Sequence, residues 1–149
     1  MNYKQYLNSI KHNKITKNFT LYEVLYSETA LNNNIDNRIY DDHVLQNAIN
    51  LIETILQPIR DHFGKPVHVL SFYRSTLLNE AINGSKNSQH TKGEAVDIRI
   101  KDVSFKQLAN FIMHNCEYDQ IIIERDLIHI SLKRNRREFI ANGAKFQKQ

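Results

Sequence analysis

The sequence contains a single cysteine, Cys116. One thiol cannot build an internal disulfide framework or a cysteine-based zinc cluster, so both are excluded. Long apolar runs are also missing, and none approaches the ~18 residues of a membrane span. The opening residues, Met1-Asn2-Tyr3-Lys4-Gln5-Tyr6-Leu7, have no apolar h-region behind the lysine and so carry no secretory signal. The chain is expected to be made in a cytoplasm without a signal peptide and to insert into no membrane. A strong charge imbalance is absent too, with 20 Lys+Arg against 16 Asp+Glu and a formal net charge of +4. That mild excess permits an anionic partner but requires none. There are no internal repeats and no low-complexity segment apart from a scattered asparagine bias.

What is present is an ordinary globular composition, 41% hydrophobic and 24% charged. A chain of 149 residues reads as one domain. A domain of this size buries about 68–70% of the surface its unfolded chain exposes, so it folds without a crosslink. Seven histidines make histidine the ligand of choice if a metal is bound.

Residues 1–17 are polar and rich in lysine and asparagine, and read as a flexible N-terminal arm. Thr20 with Glu23 matches a capping box, opening a helix to about Leu31. Asn32-Asn33-Asn34 ends it. From Asp42 to Phe63, Val44, Leu45, Ala48, Ile49, Ile52, Ile55, Leu56 and Ile59 fall at helical spacing. Pro58 is expected to kink the last turns of this main core helix, and Gly64 to close it. Val67–Tyr73 reads as a strand. Ser75 opens a short helix over 76–82, which Gly84 stops. Ala95–Ile100 alternates as a strand, with Ala95, Asp97 and Arg99 opposite Val96, Ile98 and Ile100. Ser104 with Gln107 is a second capping box, opening a helix to about Cys116. Gln120–Glu124 and Leu127–Leu132 form a hairpin about Arg125-Asp126. The sum is an α+β domain, a mostly antiparallel sheet with helices packed on it, spanning 18–140. Residues 141–149 are read as a C-terminal tail.

Asp97 interrupts an apolar strand, where a buried carboxylate is costly unless paired or metal-bound. His90 precedes that strand across a turn allowed by Gly93, so the two can meet. In the hairpin, Ile122, Glu124, Leu127 and His129 share one face, which makes Glu124 and His129 cross-strand or diagonal neighbours. Two histidines and one aspartate make a three-ligand zinc site with a fourth position open, the catalytic rather than the structural pattern. Such a metal lowers the pKa of its bound water towards 7. Glu124 is placed to shuttle the proton, and Arg74, after the strand ending at Tyr73, to hold a substrate carboxylate or an oxyanion. Each residue alone also has a plainer reading. His129 could be a satisfied core histidine, Asp97 an arginine partner or a turn cap, Glu124 a solvated side chain and Arg74 an exposed one. His12, His43, His62, His68 and His114 are read as surface or packing residues.

Ser71-Phe72-Tyr73-Arg74-Ser75, Leu78-Asn79, Gly84-Ser85-Lys86, Ser88-Gln89-His90 and Gly93-Glu94-Ala95-Val96-Asp97-Ile98 together resemble the zinc D-alanyl-D-alanine carboxypeptidase family. That family includes phage L-alanyl-D-glutamate endopeptidases. It shares its fold with the vancomycin-resistance D,D-dipeptidases and the hedgehog signalling domain. The pattern S-x-H-x-x-G-x-A-x-D is matched at every fixed position by Ser88, His90, Gly93, Ala95 and Asp97. Phe19-Thr20-Leu21 with Glu23, Gln57-Pro58-Ile59-Arg60 and Ile128-His129-Ile130-Ser131 resemble its compact, phage-associated branch.

The resemblance implies a hedgehog-like zinc peptidase fold, with one zinc ion on His90, Asp97 and His129. It implies Arg74 as the residue that binds and polarises substrate, and Ser88 as a substrate contact or a residue orienting the ligand loop. It implies Glu124 as general base, with Asp126, three residues before His129, as the other carboxylate within range. Phe72 stands where the family usually has glycine, and is expected to narrow the site floor. Leu127 and Ile128 stand where it usually has an aromatic residue. The implied activity is hydrolysis of an amide in the peptide stem of bacterial peptidoglycan, by a monomer acting on the cell wall after release from the cytoplasm. A non-catalytic, metal-containing binding or virion-structural module is the alternative. Nucleic acid is not an expected partner, because the cluster Arg134, Arg136 and Arg137 is short and lacks an aromatic stacking platform.

Overall fold

A computed structural model describes residues 1–133, together with the backbone of 138–141 and 144–146. Arg134, Arg136 and Arg137 lie outside the described residues. The fold is α+β. Six strands form one sheet in the order β3-β4-β6-β5-β7-β8, comprising β3 (His68–Ser71), β4 (Ala95–Arg99), β5 (Gln120–Ile123), β6 (Ile128–Ser131), β7 (Glu138–Ala141) and β8 (Ala144–Phe146). All its pairings are antiparallel except β5 with β7. A separate two-stranded ribbon pairs β1 (Lys14–Thr16) with β2 (Phe19–Thr20). No helix among the described residues is long and apolar enough to cross a membrane.

The N-terminal segment is not a loose arm. Asn2 and Gln5 form a capping box that starts α1 (Tyr3–Ser9). Tyr3, Leu7 and Ile10, spaced four and three residues apart, are buried in the core. The Tyr3 hydroxyl donates to the Leu25 carbonyl. Gln57 ties down the ribbon, accepting from Thr16 Oγ1 at 2.7 Å and donating to Asn18 Oδ1 at 2.9 Å. Apolar spacing thus outweighs the polar background of this stretch.

The Thr20–Glu23 capping box is present, but the expected helix to Leu31 is two short ones, α2 (Leu21–Leu25) and α3 (Glu28–Asn32). Tyr26 adopts an extended conformation and Ser27 caps α3 by accepting from the Ala30 amide. The long core helix runs as α4 (Asp42–Leu51), a π-helical segment Ile52–Leu56 and α5 (Gln57–Phe63), closed at Gly64. The irregularity precedes Pro58 instead of kinking the last turns. Pro58 has no amide to donate back, and the Gln57 amide reaches Ile52 in the wider π register instead. Leu51, Ile52, Ile55, Leu56 and Ile59 are fully buried. Ser75 caps α6 (Thr76–Ala81), and Ser104 with Gln107 caps α7 (Phe105–Asn115). Leu108, Ala109 and Ile112 of α7 join Val96, Ile98, Ile121, Ile128 and Ile130 of the sheet in one core.

Candidate metal centre

Strand register brings the distant residues together. Asp97 on β4 lies directly opposite His129 on β6. His129 also lies opposite Ile122 on β5, so Glu124, two residues further on, is its diagonal neighbour. The Glu124 amide donates to the Leu127 carbonyl at 3.0 Å, closing the hairpin about Arg125-Asp126 as the sequence suggests. His90 arrives from a 3₁₀ turn, Gln89–Lys92, that immediately precedes β4.

That turn is held at both ends. Ser88 caps it, its hydroxyl accepting from the His90 amide at 3.2 Å. Gly93 ends it with φ +70°, and a Cβ there would come within 2.4 Å of the Val44 carbonyl oxygen on α4. Only glycine satisfies both the left-handed backbone and the close approach. On the far side of β4, the Arg74 amide donates to the His90 carbonyl at 3.1 Å. The His90 ring nitrogen Nδ1 lies 2.6 Å from the Phe72 carbonyl oxygen, so it carries the proton and Nε2 is left with its lone pair. Phe72 therefore acts at the site through its backbone. Its ring is buried in the core and does not narrow the site floor.

His90, Asp97 and His129 form a group that could hold a metal ion, with one ligand atom from each lying within 4.8 Å of the others. Asp97 is the hub. Its Oδ1 lies 2.8 Å from His129 Nδ1, and its Oδ2 lies 3.3 Å from His90 Nε2 and 3.5 Å from Arg74 Nη2. The side chains are 3% exposed for His90, 9% for Asp97 and 15–16% for Arg74 and His129, so the group opens to solvent on the Arg74–His129 side. Two imidazole nitrogens and a carboxylate oxygen suit zinc, and the lone pair on His90 Nε2 is already aimed at the group. The donor set fits the ion.

Burial alone would raise the Asp97 pKa. Hydrogen bonding with His129 foremost, and the hydrogen bond and charge that the His90 and His129 imidazoles supply when protonated, outweigh it and hold the carboxyl well below the usual range. Burial lowers the Arg74 guanidinium, against the opposing pull of Asp97 and Glu124. The Glu124 side chain is exposed. Arg74 is also oriented from behind. Nε donates to Ser71 Oγ at 3.1 Å, and Nη1 to Asn79 Oδ1 at 3.4 Å. Asp126 lies in the exposed turn.

Three supporting residues carry no local sequence signal. Buried Asn37 donates to the carbonyls of Leu25 and Tyr73 at 3.0 and 3.1 Å and accepts from the Ser75 amide at 2.7 Å, bracketing Arg74. Buried Asp119 accepts on Oδ2 from Gln89 Nε2 at 2.8 Å and from Ser131 Oγ at 3.0 Å. This links the residue beside His90 to the residue two after His129. His12, His43, His62, His68 and His114 are exposed and lie outside the group.

No curated protein matches the chain. A family model described as Peptidase M15 matches residues 17–131, a span that holds every element carrying His90, Asp97, His129, Arg74 and Glu124. The chain belongs to the peptidase M15 family of zinc peptidases.

Proposed function

We propose that the protein is a zinc peptidase cleaving an amide in the peptide stem of bacterial peptidoglycan, either as a D-Ala-D-Ala carboxypeptidase or as an L-Ala-D-Glu endopeptidase of the phage-lysis type. One zinc ion sits on His90, Asp97 and His129. The observation that carries the reading is this His–Asp–His group, with Arg74 Nη2 3.5 Å from Asp97 Oδ2 and Glu124 on the strand position diagonal to His129.

A zinc ion there supplies the Lewis acidity that makes water a ready nucleophile and polarises the scissile carbonyl. The protein supplies the rest. The Phe72 carbonyl fixes the His90 tautomer and Ser88 fixes its turn, so the ligand geometry is set before substrate arrives. Arg74, held by Ser71 and Asn79, donates to a substrate carboxylate or to the oxyanion developing on the carbonyl. Glu124 accepts the proton of the attacking water and returns it to the leaving nitrogen. Its diagonal position to His129 and its pull on Arg74 favour it over Asp126, for which no contact with the group is found among the described residues. Ser88 acts as the residue that orients the ligand loop.

Glu124→Ala is the test, read on purified cell walls. Hydrolysis should fall by about 10²–10⁴-fold, while zinc content stays at the wild-type value. Mass spectrometry of the released muropeptides would identify the bond. An unchanged rate in the variant removes Glu124 from the mechanism. A zinc-loaded wild type that hydrolyses no wall favours a binding or virion-structural module.

A further inference from the structure

β3 is an outer strand of the main sheet. β4 pairs with one of its edges, and among the described residues no strand pairs with the other. Its pairing is irregular, since Val69 faces Ile98 and Ser71 faces Asp97. Two residues on β3 thus span one on β4, and Leu70 is the extra residue of a bulge. Bulges at sheet edges beside functional sites re-aim side chains, and Leu70 is exposed.

Along this strand runs a groove of about 410 Å³. Tyr26 and Glu28, at the α2–α3 break, line it together with Leu70, Ser71 and Arg74, and Ile82 at the end of α6. Three of the protein's exposed large apolar side chains, Tyr26, Leu70 and Ile82, therefore meet on one concave surface. A concavity of this volume is of the size that ligands occupy. The groove borders the metal centre through Arg74 and Ser71. Arg74 lines it and reaches Asp97 Oδ2 at 3.5 Å, and Ser71, which also lines it, accepts from Arg74 Nε.

We propose that this groove seats the substrate as an extended peptide, added to the outer edge of β3 as a further strand that leads the scissile amide to His90, Asp97 and His129. The inference rests on the peptidase reading and gives it a substrate geometry. In strand addition the main-chain hydrogen bonds carry the affinity, and pockets for alternate side chains carry the specificity. That suits a stem rich in alanine, which offers little side chain to grip. Tyr26, Leu70 and Ile82 cover its small apolar side chains. Arg74 meets a carboxylate, and Glu28 meets the ammonium of a diamino residue.

The test is amide hydrogen exchange on zinc-loaded Glu124→Gln protein, with and without a synthetic stem pentapeptide ending in D-Ala-D-Ala. Exchange at residues 68–71 should slow when the peptide binds. Leu70→Glu and Ile82→Glu, added singly to that protein, should weaken peptide binding at least tenfold while zinc affinity and melting temperature stay those of the parent. The inference is overturned if the peptide does not bind, if it leaves 68–71 unprotected, or if both variants bind it as tightly as the parent. A peptide that protects β3 but is never cleaved by the wild type upholds the groove and refutes the peptidase reading. Cleavage without protection does the reverse.

Discussion

Replacing Ser131 with alanine cuts a buried link between the two histidine-bearing segments. The Ser131 hydroxyl donates to Asp119 Oδ2 at 3.0 Å and accepts from the Gln120 amide at 3.1 Å. Gln89, beside His90, donates to the same carboxylate oxygen at 2.8 Å. Ser131 and Asp119 are both 0% exposed, so water does not replace the lost bonds without rearrangement. A hydrogen bond to a charged group contributes about 1.5–3 kcal/mol net, and one between neutral groups about 0.5–1.5 kcal/mol. Non-additivity within one network keeps the combined loss to about 2–3 kcal/mol. In a chain of this size each kcal/mol moves the melting temperature by about 2–4 °C, so a fall of roughly 4–12 °C is expected. Calorimetry of the metal-free protein measures it directly. Zinc affinity should also fall by about tenfold, at the low end of what outer supports of metal ligands contribute, because this network grips the neighbours of the ligands. A melting temperature and a zinc affinity both equal to wild type would refute the claim that this network holds the site together.

Two further perturbations probe the frame around the site. Gly93→Ala forces a side chain onto a left-handed backbone and into the Val44 carbonyl. It should cost at least about 1–3 kcal/mol from backbone strain alone and weaken zinc binding by shifting the His90 turn. Thermal melts and zinc titration check this, and an unaltered protein contradicts it. Asp36 has its carboxyl pKa lowered to about 2, chiefly by hydrogen bonds from Arg38 and despite partial desolvation. Its folded pKa lies below the unfolded value of about 3.9, so its stabilising contribution is complete above that value and is lost as pH falls towards the folded pKa. NMR titration of the Asp36 carboxyl should show the low value in wild type and a return towards normal in Arg38→Ala. An ordinary midpoint in wild type would contradict the pairing.

Much of the local structure was legible because its causes are local. Thr20 with Glu23, Ser75 and Ser104 with Gln107 cap helices where their side chains can reach free amides three residues on. Gly64 closes α5. The diagonal position of Glu124 to His129 follows from the two-residue period of strands, whereas the pairing of Asp97 with His129 joins strands distant in sequence. What escaped was set by tertiary contacts or hidden in composition. The spacing of Tyr3, Leu7 and Ile10 lies inside a lysine- and asparagine-rich stretch, and only burial against the core reveals it as α1. The break at Tyr26 and Ser27 depends on a second cap inside a run that reads as continuous helix. The π segment depends on how the chain takes up Pro58. Asn37, Gln89 and Asp119 act across separations of 12 to 38 residues, beyond the reach of any helical or strand period. Phe72 looked like a side-chain change at the site floor, yet only its carbonyl touches the site.

The central claim is that His90, Asp97 and His129 together hold one zinc ion. Isothermal titration of zinc into the metal-free protein, set beside the same titration of His90→Ala, tests it most directly. The account predicts tight binding of one equivalent by wild type and loss of that binding in the variant. A wild type that takes up no zinc, or a His90→Ala protein that binds it as tightly as wild type, would contradict the assignment.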